Sequence, residues 1–64
     1  MRLTEFHELV ILRFGATYGP SVLTDHVLAG FDGRTGAQAI EDGVEPREVW
    51  RALCVDFDVP PEQW

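Results

Sequence analysis

The stretch Pro46-Arg47-Glu48-Val49-Trp50-Arg51-Ala52-Leu53-Cys54-Val55-Asp56-Phe57 decides how this chain folds. Its apolar members Pro46, Val49, Trp50, Leu53, Cys54 and Phe57 recur every three or four residues, which lines one face of an α-helix. The opposite face carries Arg47, Glu48, Arg51 and Asp56. Pro46 suits a first helical turn, where a missing N–H costs nothing, with Glu45 or Val44 just outside. Asp58 ends the helix and Pro60-Pro61 prevents its resumption, so this element is predicted over about 46–57.

Working back from it, the same reasoning gives three more helices and no strand. Thr35 with Gln38 three residues later has the spacing of a capping box. Ala37, Ala39 and Ile40 follow, then Gly43-Val44, a glycine-plus-apolar stop, so a two-turn helix is predicted over about 36–42. Two turns do not persist in water alone and must be held by packing. Pro20 or Ser21 can start a helix whose apolar face is Leu23, Val27 and Leu28, with Gly30-Phe31 as a second stop, giving about 20–29. Thr4 is the expected N-cap of the first helix, Glu5 and Glu8 favour its dipole, and Gly15 ends it, giving about 4–14. The tail Glu62-Gln63-Trp64 is short and reads as mobile.

The fold class is therefore all-α, a small single-domain bundle of about four short helices over residues 1–64. The expected core is Leu3, Phe6, Val10, Phe14, Leu23, Val27, Phe31, Ile40, Val49, Trp50, Leu53 and Phe57. At 64 residues and 45% hydrophobic, the chain supports one small core of marginal stability.

Composition removes several functions. Five basic residues, all arginine, face eleven acids for a formal charge of −6, with eight of the acids in residues 32–64. That balance opposes phosphate neutralisation on duplex nucleic acid. One cysteine allows no internal disulfide. The longest apolar run, Leu9-Val10-Ile11-Leu12, is far short of the ~20 residues of a membrane span. No signal segment opens the chain, so the expected compartment is the cytoplasm.

The opening Met1-Arg2-Leu3-Thr4-Glu5-Phe6, the phrase Gly33-Arg34-Thr35 with Gln38-Ala39-Ile40, and Pro46-x-x-Val49-Trp50-Arg51-Ala52-Leu53-Cys54 with Val59-Pro60 carry a resemblance across nearly the whole sequence. Together they resemble the actinobacterial domain-of-unknown-function family 3046, especially its mycobacterial members. The resemblance implies a small, helical, cytoplasmic protein with no assigned activity, and through the family's gene neighbourhood a link to recombination or DNA repair. The apolar Val10-Ile11-Leu12 departs from the more polar first helix expected of the family.

Candidates for chemistry are few. Cys54 falls late on an apolar helix face, the setting of a core thiol rather than a nucleophile. His7, His26 and Cys54 are a thin supply for a metal, which takes three or four ligands. Ser21 and Asp25 share a helical face, but His26 points about 100° away, so a hydrolytic set is not expected. A helix-turn-helix reading of helices two and three offers Gln38 to bases but brings Glu41 and Asp42 with it. No catalytic residue, cofactor or metal is expected.

The remaining candidates form a surface for a partner: Ile11, Leu12, Arg47, Arg51 and Trp64. Ile11 and Leu12 are either an exposed apolar patch, suited to a partner or a homodimer, or the buried second side of a central helix. Arg47 and Arg51 are either locally paired through Glu48 or open to an acidic partner. Trp64 either folds back or stands free as an anchor. The reading is a non-enzymatic protein-interaction module. The alternative is a helical nucleic-acid binder using Arg34, Arg47 and Arg51.

Overall fold

The computed structural model describes residues 1–64. Four helices run in the order α1 (Leu3–Phe14), α2 (Tyr18–Asp25), α3 (Gly36–Glu41) and α4 (Pro46–Asp56), followed by a single 3₁₀ turn over Pro61–Gln63. The only pairing of strand type is an isolated antiparallel bridge between Val27 and Thr35. The protein is a small all-α globule, as the periodicity requires.

The apolar face of α4 is its axis. Val49, Trp50, Leu53 and Cys54 are all buried and meet Phe6 and Val10 of α1, Val22 and Leu23 of α2, and Ala39 of α3. Leu28 and Val59, both from irregular segments, complete the core. Close approach of α1 and α2 depends on Gly19, where a Cβ would sit 3.2 Å from Val10 Cγ1 and 3.3 Å from its carbonyl oxygen.

The helix signals hold in α3 and α4. Gln38 Oε1 accepts from the Thr35 N–H (2.9 Å), and Thr35 Oγ1 accepts from the Gln38 N–H (3.2 Å). Gly43 takes φ +89°, and the Val44 N–H reaches back to the Ala39 carbonyl (3.0 Å), the bond of a Schellman stop. Asp58 (φ +54°) ends α4 the same way, with Val59 N–H bonded to the Cys54 carbonyl (2.9 Å). The buried Val59 is the apolar residue that such stops commonly pack inward.

Helix boundaries depart from expectation at two places. The first helix starts at Leu3, with Arg2 as the capping residue rather than Thr4; the Glu5 carboxylate accepts the Arg2 N–H at 3.1 Å. The second starts at Tyr18 and stops at Asp25, four residues before the predicted end. His26 is already extended (φ −87°, ψ 120°), and Gly30 caps nothing. His26, Val27 and Leu28 run as a short extended strap, with Val27 bridged to Thr35 and the Leu28 N–H bonded to the Arg34 carbonyl (2.9 Å), and the chain then turns over residues 29–33.

That early stop also corrects the core. In a helix Val27 and Leu28 share a face. In the extended strap successive side chains alternate, so Leu28 is buried while Val27 is 52% exposed. Leu3, at the fraying end of α1, is 44% exposed rather than core. Phe14, Phe31, Ile40 and Phe57 pack against the core half-buried. The tail is fixed in place: the Trp50 Nε1–H donates to the Trp64 carbonyl (3.2 Å), Trp64 Nε1–H to the Val59 carbonyl (2.8 Å), and Arg13 to Gln63 Oε1 (2.8 Å).

Candidate functional site

Arg47, Trp50 and Arg51 occupy consecutive turns on one side of α4, with Trp50 leaning into the core and the arginines standing outside it. The chain then reverses at Asp58, and the 3₁₀ turn carries Trp64 back to Trp50. The result is a cleft of about 250 Å³ lined by Met1, Arg47, Trp50, Arg51 and Trp64. Three of the five candidate surface residues, Arg47 and Arg51 of α4 and Trp64 of the tail, thus meet at one place.

The charged side chains of this cleft, Arg47 and Arg51, are of one sign. The charged side-chain contacts of the protein are Arg34–Asp42 (3.0 Å) and, when His26 carries a proton on both ring nitrogens, His26–Asp56 (2.8 Å). Arg47 and Arg51 belong to neither, and Glu48 does not pair with them. Local pairing, one of the two readings of these arginines, is therefore not what the structure shows. No Asp or Glu side chain lines the cleft, and the main-chain end of Trp64 sits within it.

Ile11 and Leu12 are both on the surface, 46% and 84% exposed. The second reading of that pair, burial within a central helix, is thereby removed. They do not form one patch, because neighbours on a helix diverge by about 100°. Ile11 lines an apolar groove of about 360 Å³ with His7, Pro20, Thr24 and Ala37, over the buried Val10 and Leu23, and Leu12 is no part of it.

Arg34 lies elsewhere. It donates to Asp42 (3.0 Å) and to the Phe31 carbonyl (3.1 Å), and shares a depression with Gln38, Glu41 and Asp42. The three arginines of the nucleic-acid alternative therefore do not make one basic surface, and one of them sits among acids.

His26 has a structural task that sequence reasoning missed. Asp56 Oδ2 accepts from His26 Nε2–H (2.8 Å) and from the Ala29 N–H (3.1 Å), tying the strap to the end of α4. The His26 ring rests on Phe57 (4.7 Å between centroids), which meets Phe14 edge-on (5.1 Å). Ser21, Asp25 and His26 border one depression with Tyr18 and Phe57, but His26 is bonded to Asp56 and not to Ser21. A nucleophile needs its base within hydrogen-bond reach. Thirty residues separate His26 from Asp56, and no local spacing signals the pair.

Cys54 is 1% exposed, and burial pushes its thiol above the ordinary range, with Arg13 pulling weakly the other way. A buried, protonated thiol is a poor nucleophile. No group of three or more His, Cys, Asp or Glu side chains is placed to hold a metal ion. No helix is long and apolar enough to cross a membrane.

These features define a small all-helical domain with an arginine- and tryptophan-lined cleft. The family described as "Protein of unknown function (DUF3046)" matches residues 1–62, and the chain belongs to that family. It is similar to a Mycobacterium tuberculosis protein named as a candidate envelope-preserving system protein, 72% identical over 36 residues. That match covers 56% of this chain and only 13% of the mycobacterial protein. No solved structure matches the chain.

Proposed function

We propose that this protein is a non-enzymatic, cytoplasmic interaction module that engages another protein through the Arg47, Arg51 and Trp64 face. The observation that carries this reading is the pair of unpartnered arginines beside two tryptophans in a cleft. Arginine and tryptophan dominate binding hot spots because each offers large contact area together with a polar or charged handle. The candidate envelope-preserving role belongs to the mycobacterial relative; it is compatible with an adaptor and identifies no partner. The recombination or repair link implied by the family resemblance has no support from the structure or the relative, and the reading does not use it.

The nucleic-acid alternative needs Arg34, Arg47 and Arg51 to act together, and their separation counts against it. Gel shifts at low salt test it, since phosphate binding is salt-sensitive.

The interaction reading is tested by affinity enrichment from native lysate. The wild type is run beside Arg47→Glu/Arg51→Glu and Ile11→Glu/Leu12→Glu, all with unchanged helical CD. Loss of capture in the arginine variant alone is expected. Capture that survives the arginine change but fails in the Ile11/Leu12 variant moves the interface to α1.

A further inference from the structure

Resting on the interaction reading above, we infer that the cleft takes a short acidic segment in which carboxylates alternate with apolar side chains. Three observations lead there.

The first is charge. The chain holds eleven acids and only five basic residues, so an arginine on its surface has many acids available to it. Arg34 is paired with Asp42 and Arg13 is bonded to Gln63; Arg2 has no ion pair, and neither do the two arginines of the cleft, Arg47 and Arg51. One helical turn separates them, which points both guanidinium groups to the same side. A guanidinium presents a planar fork of donors matched to a carboxylate.

The second is size. At about 250 Å³ the cleft is below the ~300–1,000 Å³ of small-molecule and cofactor sites. It has room for a side chain of a partner.

The third is the wall. Trp50 is all but buried and is braced by its bond to the Trp64 carbonyl, while Trp64 is 39% exposed and held by its own bond to Val59. Met1 completes an apolar lining. A bare anion would satisfy the arginines and leave these surfaces wet. An apolar side chain flanked by carboxylates satisfies both, and the rings are pre-positioned, which lowers the ordering cost of binding.

The cleft reports on itself, because Trp50 and Trp64 are the only tryptophans of the chain. The 64-residue chain is titrated by tryptophan fluorescence with an acetylated, amidated heptapeptide of alternating Asp and Leu. Three further probes are the same peptide with Asn for Asp, the same with Ser for Leu, and inorganic phosphate. The expected result is a saturable change with the Asp-Leu peptide alone. It should weaken about tenfold in Arg47→Gln/Arg51→Gln, the loss of two exposed ion pairs, and weaken further with added salt. Both arginines are exposed, so the variant should keep its helical CD. Equal binding of the Asn-Leu peptide overturns the charge argument, and equal binding of the Asp-Ser peptide overturns the apolar one. Saturable binding of phosphate in place of the peptide makes the cleft a phosphate site and overturns the inference. No response to any probe, while the arginines remain essential for partner capture, overturns this choice of occupant and leaves the interaction reading standing.

Discussion

Replacing Asp56 by alanine should cost this domain a large part of its stability, although Asp56 lies outside the apolar core. Its Oδ2 accepts two hydrogen bonds, from His26 Nε2 at 2.8 Å and from the Ala29 backbone N–H at 3.1 Å. The Asp56 side chain is only 13% exposed, and that of His26 33%. A hydrogen bond to a charged group contributes about 1.5–3 kcal/mol when water cannot replace it. Water reaches the histidine in part, so the two together are worth about 2–4 kcal/mol in this setting. A domain of this length has roughly 3–10 kcal/mol in total, at about 0.05–0.15 kcal/mol per residue. Each kcal/mol moves the midpoint of so small a domain by about 4–8 °C. The expected fall in Tm is therefore about 8–30 °C, followed by far-UV CD on heating and by urea unfolding at constant slope. Asp25→Ala, an exposed acid next to His26 in sequence, is the control and should change stability by less than about 0.5 kcal/mol. The cycle Asp56→Ala, His26→Ala and the double variant should show a coupling of about 1 kcal/mol or more. An Asp56→Ala protein within about 0.5 kcal/mol of wild type would refute the idea that this carboxylate anchors the strap.

Two further outcomes follow from the same structure. Burial raises the Cys54 pKa, so above the ordinary thiol value of about 8.5 the unfolded chain loses a proton that the folded chain keeps. Stability from this group is full below that pH and declines as pH rises beyond it. Urea midpoints measured from neutral to alkaline pH should fall less steeply in Cys54→Ala, and a disulfide reagent should modify wild-type Cys54 only at the rate of unfolding. Gly43→Ala places a Cβ in a backbone at φ +89° and should cost about 1–2 kcal/mol in the urea midpoint.

How far the sequence reaches is best seen element by element. In α4 and α3 every deciding signal is local: the three-and-four spacing of Val49, Trp50, Leu53 and Cys54, proline in the first turn, the Thr35/Gln38 box and the Gly43 stop. Such signals act within one or two turns, so a linear reading contains all their terms. The second helix fails that test. Its apolar spacing continues through Val27 and Leu28, and Gly30-Phe31 imitates a helix stop. The chain instead leaves the helix at His26, because Asp56, thirty positions away, accepts hydrogen bonds from His26 in the strap and Ala29 just after it. The candidate surface divides in the same way. The one-turn separation of Arg47 and Arg51 is legible in the sequence, whereas their lack of an acidic partner and their meeting with Trp64 are not.

The sequence by itself determined that this protein is all-α, that α4 carries the central apolar face, and that charge is unfavourable for binding a nucleic-acid duplex, because periodicity, capping and net charge are local or additive properties. Only the tertiary structure decided where α2 ends, that Leu28 rather than Val27 is buried, and that the tail closes a cleft beside two free arginines. Those outcomes depend on hydrogen bonds between residues far apart in the chain, such as Trp50 to Trp64 and His26 to Asp56, whose partners are fixed only when the helices have packed.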